Sequence, residues 1–241
     1  MGIDIAVLTQ LLSITPHLEP NFTMVMLGRQ KLHITRPHFK TLAEQRLRQI
    51  GQRTPLSQLS DPEGYTEPLF RALGAGQVDS LDFSDFEGAT HVHDLNDPIP
   101  DSLEGTYDFV FDGGTLEHVF DVKTSMTNAY RLLKDGGIFM SMAPGNNWFG
   151  HGFYQFSPEL VFAFWVRACN CELIDCMLIP ERPRDKPWRI EDPTGTGNRV
   201  RARGKLTPQR SYLFYAVRKS ASHGTGKALQ GDYVSRWQAT G

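Results

Sequence analysis

Three aspartates each close a strand candidate: Val78-Asp-Ser-Leu-Asp82, Thr90-His-Val-His-Asp94 and Tyr107-Asp-Phe-Val-Phe-Asp112. A carboxylate at a strand end is costly in a core and useful outside it, where it accepts a pair of hydroxyls or an amino group from a ligand. Helix capping or loop solvation accounts for any one such aspartate. Three at successive strand ends point to a ligand crevice. A second group is Asn146-Asn-Trp-Phe-Gly-His-Gly-Phe-Tyr-Gln-Phe-Ser157, in which His151 stands between two glycines among aromatics and amides. His151 and His118 supply imidazoles that titrate near neutrality and can act as general bases. Tyr154 and Gln155 are placed to orient an acceptor. Glu117 reads equally as a structural hydrogen-bond acceptor, and His118 as a pin for the helix that follows it.

These residues need a scaffold that alternates strand and helix. Ile3–Ile14 carries apolar residues at helical spacing, and Thr23–Leu27 is a compact apolar run ending at Gly28, the pattern of a buried parallel strand. Pro37–Ile50 and Thr66–Leu73 are helix candidates. Strands over Val78–Asp82, Thr90–Asp94 and Tyr107–Asp112 follow, then a helix over Val122–Leu133 stopped by Asp135-Gly-Gly137. Ile138–Met142 is the next strand, and Ser157-Pro158 opens another helix with Ser as N-cap. The alternation implies a parallel sheet covered on both faces. In such a sheet ligands bind beyond the carboxyl ends of the strands.

Between Pro180 and Gln209 the chain turns rich in Pro, Gly, Arg and Lys, which reads as a long surface flap. Tyr212–Val217 is expected as an antiparallel strand near the sheet edge, and the polar, Gly-rich stretch after Lys219 as a loosely held tail. The expected organisation is therefore one domain over residues 1–219, with a basic flap at 180–209 and a tail at 220–241. From Pro180 to Lys219, eleven Lys and Arg face four Asp and Glu, although the whole chain carries a net charge of -2. A basic flap over an acceptor site suits a phosphate-bearing or carboxylated small substrate. The bulk charge argues against a nucleic-acid partner.

Length and composition, 241 residues with 40% hydrophobic content, suit one large α/β domain. No apolar run approaches the ~20 residues of a membrane span. No basic start precedes an apolar stretch, so an export signal is not expected and a cytoplasmic location is. The three cysteines do not read as a metal set. Cys169-Asn-Cys171 lacks the two-residue spacer of zinc sites, and with Cys176 they lie in an apolar segment as core thiols. Oligomerisation is left open.

With these motifs in order, the chain resembles the class I S-adenosylmethionine-dependent methyltransferases, of the divergent type 11 or type 12 kind. The resemblance covers about residues 22–180. It rests on Gly28, Asp82, Asp94 and Asp112 after successive strands, on Leu132-Leu-Lys-Asp-Gly-Gly-Ile-Phe-Met-Ser-Met-Ala-Pro144, and on Asp112-Gly-Gly-Thr-Leu-Glu-His-Val-Phe-Asp121. It implies a doubly wound, mostly parallel seven-stranded sheet with an antiparallel edge strand, and S-adenosylmethionine as cofactor with S-adenosylhomocysteine as product.

By the same resemblance Asp82 binds the ribose and Phe83 flanks the adenine. Asp94 contacts the adenine amine beside Leu95. Gly28, Asp112 and Gly113 line the methionine moiety. The acceptor is expected to be a sugar, a nucleotide-linked sugar or a secondary metabolite, as in natural-product or polysaccharide biosynthesis. One departure stands out. The usual glycine-rich first loop is reduced to Leu27-Gly28-Arg29-Gln30, and about fifty residues separate the first two sheet strands. Arg29 is expected either to bind the methionine carboxylate or to block the pocket. The second outcome fits a non-catalytic binding or scaffold protein, and non-methylating chemistry on the same fold is the remaining alternative. A nicotinamide fingerprint is absent after Leu27.

Overall fold

The apolar runs assemble into one mixed sheet. The computed structural model describes residues 2–195, 198–222 and 224–239. Its strands are β1 (Phe22–Leu27), β2 (Ala75–Asp82), β3 (His91–Val92), β4 (Tyr107–Asp112), β5 (Leu133–Asn146), β6 (Glu172–Pro180), β7 (Trp188–Arg189) and β8 (Ser211–Arg218). They lie in the order β3-β2-β1-β4-β5-β8-β6-β7. β1 pairs in parallel with β2 and β4, β2 with β3, and β4 with β5, while β8 runs antiparallel to both β5 and β6. The strand order reverses between β1 and β4, and the carboxyl ends of strands at such a reversal are where doubly wound sheets bind ligands.

The period-two alternation of each strand sorts its side chains to two cores. Met24 and Met26 of β1, Phe109 and Phe111 of β4, and Ile138 and Met140 of β5 face one layer. That layer is covered by α1 (Ile5–Ile14), α2 (Pro37–Gln49) and α3 (Glu67–Ala72). Val25, Leu27, Val110 and Phe139 face the other, under α4 (Val122–Leu132) and a helix that begins as α5 (Pro158–Leu160) and continues as a π-helical stretch over Val161–Ala168. Ser157 caps α5 by accepting from the Glu159 N–H, as its sequence position predicts. Trp165 stacks on Phe139 at 4.5 Å between ring centroids and anchors this second core. Among the described residues, no helix is long and apolar enough to cross a membrane.

Several elements differ from the sequence expectation. Residues Tyr212–Val217 do form an antiparallel strand, but it lies inside the sheet. All six are buried, alternating between the two cores, and pairing with β5 on one side and β6 on the other makes it third from the antiparallel edge of the sheet. The sheet has eight strands because the flap contributes β7, two residues paired antiparallel to β6 at the edge. The third strand covers only His91–Val92, since Asp94 turns back on Asn96.

The tail is also ordered locally, as α6 (Gly231–Ala239). It is held by Gly231 N–H to Glu159 (2.6 Å), Ser235 Oγ to the Thr194 carbonyl (2.7 Å) and Arg199 to the buried Asp232 (2.7 Å). Arg167, on the π-helical stretch, donates to Glu159 and the Leu229 carbonyl through one nitrogen, and to Asp192 and Thr194 through the other. Cys169, Cys171 and Cys176 are free thiols, and burial pushes Cys169 up to about 11 and the other two up to about 12. They are inert members of the packed segment.

Candidate active site

The turn after β1 has one glycine where more would be expected. Gly28 adopts φ 69°, and a Cβ there would lie 2.6 Å from Thr115 Oγ1, so only glycine fits. The remaining support comes from Gln30, which is buried. Its carboxamide donates to the Leu27 carbonyl (3.0 Å) and the Gly28 carbonyl (3.2 Å). It packs against Gly113 at the tip of β4, where a Cβ would sit 2.8 Å from Gln30 Oε1. A side chain thus braces a turn that glycines would otherwise shape. Sequence reasoning passed over Gln30; its position two residues after the lone glycine was the available signal.

Arg29 takes neither of the roles expected of it. Its guanidinium donates to Glu67 (2.6 Å), the Glu87 carbonyl (2.7 Å) and Asp61 (3.3 Å), and it lies over the Tyr65 ring at 3.8 Å. With three of its five N–H donors on two carboxylates and a carbonyl and its face on a ring, the guanidinium is held within the protein. It clasps the long insertion between β1 and β2 to the loop after β2. We expect Arg29→Ala to cost about 2 kcal/mol of stability, since it strands two partly buried carboxylates. Urea unfolding would measure this, and an unchanged midpoint would show the clasp to be idle.

At the tip of β2, one oxygen of Asp82 accepts from the Phe83 N–H at 2.7 Å and the other lies 3.4 Å from the Arg29 N–H. The carboxylate therefore borders the backbone of the β1 turn, with Phe83 71% exposed beside it. Beyond β3, Asp94 accepts from the backbone and side chain of Asn96, which hold its carboxyl below the ordinary range. Leu95 is buried in the second core. Its carbonyl and that of Asp97 accept from buried Asn128 of α4, whose Oδ1 takes the Ile99 N–H. One asparagine thereby fixes the loop that carries Asp94.

Asp112 is turned inward. It is fully buried and accepts from Ser141 Oγ (2.7 Å) and the N–H groups of Thr115 (2.8 Å), Gly114 (3.2 Å) and Leu116 (3.4 Å). Burial lifts its pKa above the ordinary carboxylate value even with these donors. Its oxygens are taken up in shaping the turn of residues 113–118, which leaves its backbone, with Gly113, as the part that can line a ligand.

That turn presents Glu117 and His118. The loop after β5 docks on it through backbone, with the N–H groups of Phe153 and Tyr154 donating to the Glu117 carbonyl at 2.8 and 3.3 Å. Gly152 is required there, since a Cβ would meet that carbonyl at 2.8 Å. Docking brings His151 to His118, with ring centroids 5.1 Å apart, and places the Nε2 of each 3.7 Å from Glu117 Oε1. Glu117 is wholly buried; burial, then the nearby Asp112, pushes its carboxyl up to about 8. Burial holds both imidazoles below their ordinary value.

The Tyr154 hydroxyl donates to the Phe120 carbonyl at 2.6 Å, which leaves its oxygen as an acceptor. Gln155 is a brace, accepting the Trp148 N–H at 2.8 Å. Next to this loop, at the carboxyl ends of β5 and β6, lies a cavity of about 390 Å³. Its lining includes Asn146, Phe156, Leu178, Trp188 and Val200, with Arg199 of the flap at its rim. Part of the flap's positive charge is paired, Arg210 with Glu181 and Arg189 with Asp175.

A doubly wound sheet in which an antiparallel strand lies between the fifth strand and the last long one is the class I methyltransferase fold. Residues 72–141, from the end of α3 into β5, match the family model described as a methyltransferase domain, less than a third of the chain. The match leaves β1 and its single-glycine turn outside. Among solved structures, the chain is similar to the complex between the Haloferax volcanii Trm112 methyltransferase activator and a methyltransferase partner, at 17% identity and a TM-score of 0.51, covering 90% of each chain. It is also similar to the Burkholderia thailandensis 1,6-didemethyltoxoflavin-N1-methyltransferase with bound 1,6-didemethyltoxoflavin and S-adenosylhomocysteine, at 15% identity and a TM-score of 0.48, covering 90% of this chain and 78% of that one. At these identities the likeness is one of fold. No curated protein sequence matches the chain.

Proposed function

We propose that the protein transfers a methyl group from S-adenosylmethionine to a small-molecule acceptor. The observation that carries this reading is Asp82, a carboxylate at the β2 tip bordering the backbone of Gly28 and Arg29, with an exposed aromatic next to it. Such an edge accepts two ribose hydroxyls while Phe83 covers the adenine. Asp94, held by Asn96, is the acceptor for the adenine amine, and the backbone of Gly28 and Gly113, braced by Thr115 and Gln30, is what the tips of β1 and β4 offer the methionine moiety. The cofactor supplies an electrophilic methyl group. The acceptor's lone pair forms the new bond to carbon as the carbon–sulfur bond breaks, and its proton passes to His118, the more exposed imidazole. The cavity beside this loop is of the size that takes a small ligand. Its largely apolar lining, with Asn146 and Gln155 as neutral polar members, suits a sugar, nucleotide-linked sugar or secondary metabolite. We place this activity in the cytoplasm.

Calorimetric titration with S-adenosylhomocysteine is expected to show one site per chain in the micromolar range. Absence of heat at millimolar ligand would remove the reading. A specific observation favours a second one, a methyltransferase-fold binding protein: Phe83, Phe86, Phe120, Phe149 and Phe153 are all exposed in the loops after β2, β4 and β5. Exposed phenylalanines so grouped suit a protein surface as well as a small ligand.

A further inference from the structure

We propose that Glu117, His118 and His151 form a binding site for one divalent transition-metal ion, zinc being the ion that their donor set suits best. The ligand atoms of the three side chains lie within 4.8 Å of one another. They come from two segments, the turn after β4 and the loop after β5, locked together by the backbone bonds to the Glu117 carbonyl.

The strongest observation is a local deficit. Both carboxylate oxygens of Glu117 and Nε2 of His151 are buried without a hydrogen-bond partner. Glu117 is 0% exposed. Native proteins leave few such groups unmet, and a buried carboxylate with nothing to accept is among the costliest. Glu117 Oε1 and His151 Nε2, unmet and 3.7 Å apart, with His118 Nε2 at the same distance from that oxygen, are met together by one cation. Ligands at about 2.1 Å around a tetrahedral ion are spaced by about 3.4 Å, so those two edges need only slight closure.

Two imidazoles and one carboxylate select zinc, cobalt, nickel or ferrous iron over magnesium or calcium, which prefer oxygen throughout. Three protein ligands leave a coordination position open, and half-exposed His118 puts that position toward solvent. The spacing gave no notice of this site. Glu117 and His118 are adjacent, His151 lies 33 residues on, and only the docking at Gly152 joins them.

This inference rests on the proposed reading only for its consequence. An acceptor hydroxyl coordinated at the open position would lose its proton to bulk water, the metal supplying the acidification. The imidazole nitrogens, now ligands, would no longer take that proton, so acceptor activation would pass from His118 to the ion.

The test uses the full chain, untagged and stripped with a chelator, titrated with zinc by calorimetry and with cobalt by visible absorption. One equivalent of each is expected, with the cobalt bands of a low-coordinate nitrogen and oxygen site and a higher thermal transition in zinc. Glu117→Gln and His151→Ala are each expected to weaken zinc binding by about a hundredfold. His118→Ala, at the surface, provides a variant whose folding is not in question, and circular dichroism checks all three. Zinc binding that is absent, or equally weak in wild type and His118→Ala, would overturn the site in favour of a buried water or a protonated Glu117. S-adenosylhomocysteine titration of the same samples separates the two proposals. Loss of metal binding with intact cofactor binding sinks only the metal site, and the converse sinks only the methyl-transfer reading.

Discussion

Asp112→Ala is expected to cost the folded state about 3–5 kcal/mol, the range for removing one partner from a buried charged network. The carboxylate is fully buried and serves Ser141 Oγ and the N–H groups of Gly114, Thr115 and Leu116. Alanine would leave these donors in a space that water reaches poorly, and each unmet buried donor costs about 1–3 kcal/mol. Asparagine keeps an oxygen for the backbone donors and offers Ser141 an amide hydrogen in exchange, so Asp112→Asn should cost only about 1 kcal/mol. Urea unfolding of the two variants distinguishes network from volume. Equal losses in both would mean that the negative charge itself is what the turn requires. A loss below about 1 kcal/mol in the alanine variant would show that the turn of residues 113–118 holds without it.

Asp82→Ala should have the opposite profile, a large loss of binding with little loss of stability. Two charge-assisted hydrogen bonds to vicinal hydroxyls support an expected drop in S-adenosylhomocysteine affinity of about a hundredfold, or about 2.7 kcal/mol. Within the protein, Asp82 has one firm partner, the N–H of its own neighbour Phe83, and a long contact to Arg29. Its removal should therefore shift unfolding by no more than about 0.5 kcal/mol. Wild-type affinity in this variant, measured by calorimetry, would take the ribose from Asp82 and leave the crevice without its anchor.

The stretch from β2 to β5 is readable in the sequence because β2 and β4 each end on an acid and the apolar run of β5 follows directly on Asp135-Gly136-Gly137. It is also the stretch that the methyltransferase family model matches. What escaped reading was set by distant residues. Asp112 looks like any other strand-end acid until Ser141, on the neighbouring strand, draws it inward. Arg29 looks available until Asp61 and Glu67, more than thirty positions away, consume its charge. Tyr212–Val217 reads as a strand from its own residues, but its interior position depends on β6 arriving beyond it. His118 and His151 were picked out singly for their chemistry. That they meet at a buried glutamate follows from a glycine whose missing side chain permits one loop to lie on another.

Arg167 gives the back of the molecule a mechanical role in what happens at the front. By holding Glu159, Asp192, Thr194 and the Leu229 carbonyl with one side chain, it rivets the π-helical stretch, the flap and the C-terminal segment at a single point. The flap also walls the cavity, through Trp188, Arg199 and Val200, and Arg199 is in turn fastened to Asp232 of the final helix. The roof over the cavity is thus hinged to the last turn-and-helix of the chain. Loss of the Arg199–Asp232 ion pair would part a wall of the cavity from the C-terminal helix.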